Sequence, residues 1–175
     1  SAATTAALTL ASLANADAAG AAPAVESAPA DTPPLAFERR MIRARPIPLE
    51  RVRVTGGPLK HAQELDREYL LALDPDRMLA YYRERAGLTP KGKGYTGWDG
   101  NGRNLTGHIA GHHLSGVSLM YKATGDARFK QRADYIVREL DEVQRAHGNG
   151  YVGALEGLEK AFAAVSRGEI KSGAF

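Results

Sequence analysis

The 175-residue sequence contains no cysteine. A disulfide framework, a thiolate nucleophile and cysteine-ligated zinc are therefore excluded from these residues. No apolar run approaches the roughly 20 residues that a bilayer-crossing helix needs, so no membrane partner is expected. Aromatic residues make up only 7%, and none precedes Phe37. Basic charge is also thin. The net charge is +3, and the first 37 residues hold Asp17, Glu26 and Asp31 but no Lys or Arg. The one short basic run, "ERRMIRARP" from Glu38 to Pro46, has no interleaved aromatic residue. A nucleic-acid partner is not expected.

What is present fits one globular domain with a real core, since 43% of the residues are apolar and 25% charged. Residues 1–36 are dominated by Ala, Ser, Thr and Pro. They cannot bury enough apolar surface to offset chain entropy, so they are expected to form a disordered tail, truncated signal peptide or linker. Within them "AALTLASLANADA" is similar to the end of a secretory signal peptide, which makes a secreted or periplasmic location the expectation.

From residue 37 to 175 the pattern is helical. "LERVRVTGG" suggests one short strand or an extended lead-in. Pro58 to Leu73 reads as a helix with Leu59, Ala62, Leu65, Tyr69 and Ala72 as its buried stripe. Asp74 is placed to cap a second helix, with Pro75 in its first turn and Gly87 at its end. Leu88 to Asn104 is a long glycine-rich loop holding the only tryptophan, Trp98. Loops of that length are functional or disordered, and a Trp with a Tyr inside one favours function.

Next comes "LTGHIAGHHLSGVSLMYKATG", a predicted helix of roughly twenty residues. At about 100° per residue, Leu105, His108, His112, Gly116 and Leu119 share a face, while Ile109, His113, Val117 and Met120 lie on the next. With Leu114 and Tyr121 behind, the pattern predicts a helix buried on nearly all sides. A clean amphipathic helix follows, capped by Asp126 and stopped by Gly148. Its stripe is Phe129, Ala133, Ile136, Val137, Leu140 and Val143, and it should pack outside the histidine helix. A last helix carries Leu158, Phe162 and Val165. No βαβ rhythm occurs, and the fold class is all-α.

His108 and His112 stand about 40° apart on one face, a spacing that can chelate zinc. His113 points about 140° from His108, so the three cannot serve one ion. A zinc-peptidase helix would carry Glu where Ile109 stands, and no third ligand is nominated. Packed core histidines are an alternative. So is sugar binding, because a neutral imidazole offers one donor and one acceptor. Gly107 and Gly111 would each cost about 1 kcal/mol inside a helix, which implies close approach of another helix or a ligand. Trp98, Asp99, Asn149 and Tyr151 lie in the flanking glycine-rich connections. With His108 and His112 they form the candidate substrate-binding set. Catalytic residues stay unassigned. Glycosidic cleavage uses two carboxyl groups about 5–10 Å apart, and no compelling pair is present. Glu139, Asp141 and Glu142 fall on a polar helix face and are expected to be solvated, while Asp99 and Glu64 are weak candidates.

The stretch "GHIAGHHLSGVSLMYKATGDARFKQRADYIVRELDEVQRAHGNGYVGA", with "YTGWD" before it and the lead-in from Val52 to Leu88, resembles glycoside hydrolase family 127. These are the β-L-arabinofuranosidase-like enzymes. The resemblance implies an (α/α)6 toroid around a sugar-binding pit, with His108 and His112 facing the pit and "NGYVG" helping to shape it. It implies an arabinose-containing glycan as partner and hydrolysis of terminal arabinofuranose as the activity. His113 departs from the aromatic residue usual after the second histidine. In the family the acid/base glutamate and the zinc-bound cysteine nucleophile lie far downstream. The resemblance therefore implies an incomplete toroid, no cofactor within this chain, inactivity of these residues alone, and self-association through apolar helix faces left uncovered. A non-catalytic helical carbohydrate-binding or interaction module and a small His-dependent metal hydrolase are the alternatives.

Overall fold

The computed structural model describes residues 40–42, 44 and 46–169. The expectation for residues 1–36 lies outside them. Contacts divide the chain into residues 1–45 and 46–175, and every element below belongs to the second unit. Its elements are α1 (Gly57–Ala72), α2 (Pro75–Arg85), α3 (His108–Thr124), α4 (Ala127–His147) and α5 (Leu158–Ser166). Short 3-10 turns occur at Leu49–Arg51 and Gly97–Asp99. No described residue lies in a β-strand, in agreement with an all-α class. The lead-in is a 3-10 turn followed by extended Val52, not a strand. No described helix is long and apolar enough to cross a membrane.

Local chemistry sets the helix ends as the sequence implies. Asp74 accepts from the Asp76 N–H at 2.9 Å, and Asp126 from the Arg128 N–H at 3.1 Å. Each satisfies one of the donors a helix N-terminus leaves free. Gly148, in the left-handed region, ends α4. The histidine helix is shorter than the periodicity predicts. Gly107 has φ +87°, which breaks the helix there, so Leu105 lies in a turn and off the histidine face.

Packing runs α3 against α4, with α2 crossing both and α1 resting on α3. One buried cluster joins Met78, Leu79, Ala110 and Ile136, and a second joins Val117, Met120 and Phe129. Four expectations fail here, the first at Val137, a member of the expected α4 stripe that is exposed. The stripe chosen for α1 is exposed at Leu59, Leu65 and Tyr69, and α1 instead packs through Leu70 and Leu71. Gly116 admits Leu70, whose Cδ2 lies 3.3 Å from where a Cβ would stand. Helix α3 is buried along Ala110, His113, Val117 and Met120, while Leu119 and Tyr121 on its other flanks are exposed. Glu139 is buried rather than solvated. Arg83 donates to it at 2.8 Å and to Glu142 at 2.7 Å, and Lys91 also reaches Glu139. The pair survives burial because each charge faces an opposite one, and it ties α2 to α4.

His113 is only 4% exposed, and neither ring nitrogen has a hydrogen-bond partner among the described residues. Burial, helped by the Arg132 charge, holds its pKa below the ordinary imidazole value. Unfolding therefore takes up a proton. Stability is full above the unfolded pKa of about 6.5 and is lost as pH falls from there toward the depressed folded value. Thermal melts at about pH 7.5 and about pH 5 should show this loss, and His113→Leu should flatten the difference. An unchanged pH profile in that variant would remove His113 as the cause.

Candidate functional site

The site is assembled by the loop between α2 and α3. Its first half is laced to α2. The Arg83 Nε donates to the Thr89 carbonyl at 2.8 Å and the Arg77 Nε to the Lys93 carbonyl at 3.1 Å. The Arg77 guanidinium lies 4.3 Å from the centre of the Tyr95 ring, and the Tyr81 hydroxyl donates to the Tyr95 carbonyl at 2.8 Å. The second half is fixed to α3. Asp99 is 1% exposed, and its Oδ1 accepts from the Ile109 N–H at 3.1 Å. It satisfies a first-turn donor that Gly107, lacking a side chain, cannot reach.

That bond sets Trp98, the preceding residue, beside the histidine helix. The indole remains half exposed, and its ring centre stands 5.9 Å from that of His108 in an edge arrangement. His108 and His112 are both exposed, with ring centres 4.4 Å apart and their Nε2 atoms 2.8 Å apart. One ring donates to the other. Zinc bonds of about 2.0–2.1 Å at a tetrahedral angle would hold two nitrogens about 3.3 Å apart, so 2.8 Å describes a hydrogen-bonded pair. About 60° round the helix from His108, on the side away from His112, a Cβ added at Gly111 would meet nothing within 4 Å. The close approach expected of both glycines holds only at Gly107, where a Cβ would lie 2.6 Å from that of Ala154 and 2.8 Å from the Tyr82 ring. Gly111 leaves open room beside the imidazoles.

On the other side of His108 is a cleft of about 480 Å³, lined also by Tyr82, Gly107, Tyr151, Val152 and Phe162. The Tyr82 hydroxyl donates to the Gly107 carbonyl at 2.9 Å. The Tyr151 hydroxyl is buried and has no partner among the described residues. Burial raises the pKa of both phenols, with Asp99 adding to the effect at Tyr82 and Glu159 at Tyr151. Both stay protonated donors at neutral pH. Asn149 does not line the cleft. Its Oδ1 accepts from the Tyr151 N–H at 3.0 Å and its Nδ2 donates to Glu159 at 2.6 Å, which braces the "NGYVG" turn against α5.

The sequence-chosen residues thus separate by role. Trp98, His108 and His112 converge on an open face, Tyr151 lines the adjoining cleft, and Asp99 and Asn149 hold the others in place. Tyr82 was missed, because "AYYRER" gives no signal of which tyrosine turns inward.

A model of the β-L-arabinofuranosidase GH127 catalytic domain matches residues 51–172, which include all of these residues. The chain belongs to that family. No protein of curated function matches it. The GH127 assignment makes it a glycoside hydrolase relative with an all-α fold, and it points to a glycan as substrate. The zinc that the family resemblance brings does not fit the described residues. The chain has no cysteine, and no three described His, Asp or Glu residues gather as a ligand set.

Asp99→Ala should cost about 1 kcal/mol of stability through the lost cap. It should also lower the fluorescence anisotropy of Trp98, the only tryptophan. Unchanged anisotropy would mean that the loop does not depend on this bond.

Proposed function

We propose that the chain recognises the terminal L-arabinofuranose of an arabinose-containing glycan, as the N-terminal part of the (α/α)6 toroid of a secreted glycoside hydrolase. The observation that carries this is the face made by Trp98, His108 and His112, with open space at Gly111. An aromatic ring beside convergent polar groups suits a polyol. When one Nε2–H donates to the other Nε2, the donor ring keeps a free Nδ1 acceptor and the acceptor ring carries an Nδ1–H. The pair then offers one acceptor and one donor to neighbouring hydroxyls. Export is supported by the apolar, small-residue segment Ala6 to Ala18.

These 175 residues bind without cleaving. Glycosidic hydrolysis uses two carboxyl groups flanking the bond, and among the described residues no carboxylate lines the cleft beside His108. Asp99 is committed to the α3 cap, and Glu139 to Arg83 and Lys91. Titration with methyl β-L-arabinofuranoside should give a saturable change in Trp98 fluorescence and no sugar release. His108→Ala should weaken binding about tenfold, the equivalent of one or two hydrogen bonds. Absence of any fluorescence response would overturn the recognition reading, and released arabinose would overturn the inactivity.

Self-association is the second part of the proposal. Leu59 and Tyr69 on α1 and Leu119 on α3 are exposed around an apolar groove of about 550 Å³ that also includes Leu49, Val54 and Met120. Exposed apolar patches of this kind promote association. Light scattering should show oligomers that Tyr69→Lys shifts toward monomer, whereas a monodisperse wild-type monomer would count against it.

A further inference from the structure

The cleft beside His108 continues past its own lining. Asn104, Leu155 and Leu158 also border a second hollow of about 410 Å³, whose far wall is formed by Gly102, Arg103, Glu156 and Gly157. Three shared residues set the two hollows side by side as a groove, with Asn104, Leu155 and Leu158 as its common wall.

Charge along this groove is uneven. Glu156, the one carboxylate on the wall, leans toward Arg85 at 3.8 Å, and Arg85 is further held by Glu84 and Asn101. Glu159, just inside α5, is taken by Asn149 and lies 3.5 Å from His147. Arg103 is different. Its backbone is fixed, because its N–H donates to the Thr106 Oγ1 at 3.1 Å and its carbonyl accepts from the same hydroxyl at 2.7 Å. Thr106 is itself buried, and its single O–H is shared between that carbonyl and the Gly100 carbonyl, which lies 2.6 Å away. Yet the Arg103 guanidinium makes no hydrogen bond or ion pair among the described residues. Arg103, whose guanidinium has no partner among the described residues, thus borders this hollow from a rigid turn, and it also borders a separate hollow beside Tyr81, Tyr95 and Asn101.

We infer that this groove seats the sugar next to the arabinose and that this neighbouring unit bears a carboxylate, a uronic acid, held by Arg103. A guanidinium fork matches a carboxylate with two parallel hydrogen bonds, which a lysine cannot reproduce. The inference rests on the arabinose reading for the occupant of the first part of the groove.

The test uses the 175-residue chain, with amide chemical shifts followed by NMR and Trp98 fluorescence in parallel. D-Galacturonate should shift the amides of Arg103, Asn104 and Leu158, and D-galactose should do so far more weakly. Arg103→Gln should weaken galacturonate binding about tenfold, while Arg103→Lys should fall between. The response of Trp98 to methyl β-L-arabinofuranoside should stay as in the wild type. Equal binding of galactose, or undiminished galacturonate binding to Arg103→Gln, would overturn the proposal. Inorganic sulfate binding as well as galacturonate would replace it with a bare anion site. Loss of the Trp98 response alone would strike only the arabinose reading, and loss of the Arg103 shifts alone only this one.

Discussion

The carboxylate of Asp99 on the Ile109 N–H joins the loop to the first turn of the histidine helix, next to the Thr106 hydroxyl on the Gly100 carbonyl. On one side is a glycine-rich loop, which costs conformational entropy to order. On the other is a helix whose first residue is His108 and whose N-cap, Gly107, has no side chain to close it. One buried hydrogen bond settles both needs, and it places Trp98 against His108 as a consequence. Gly107 completes the joint by letting Ala154 and Tyr82 approach where a Cβ would collide. The open face of Trp98, His108 and His112 is therefore supported from behind.

A second constraint keeps the scaffold under that face in register. Arg83 spans from α2 to Glu139 and Glu142 on α4, and its Nε also holds the start of the loop at Thr89. A single guanidinium so fixes the angle of two helices and the departure point of the chain that carries Trp98. Ionic bonding between opposed buried charges gives little net stability.

Family membership and geometry supply different things. The GH127 match assigns ancestry and a glycan as the kind of molecule to look for. It does not say how these residues would hold it. What the geometry supplies is the hydrogen-bonded imidazole pair beside Trp98 and the open space at Gly111.

Helix positions were legible in the sequence because their determinants are local. Asp74 and Asp126 cap their helices through residues two positions away, and Gly148 stops α4 through its own backbone. The 3.6-residue period likewise brought His108 and His112 to one face. Which faces would be buried was not legible. The α1 stripe at Leu59 and Tyr69 satisfies the same periodicity as a core stripe yet stays exposed, and Glu139 lies on a polar face yet is enclosed. Burial depends on what arrives from distant parts of the chain, here Leu70 meeting Gly116 and Arg83 meeting Glu139. The sequence by itself determined where the helices run and which residues could bind. Only the tertiary structure decided which of them lie on the open face and which stand behind, because that sorting is made by contacts far apart along the chain.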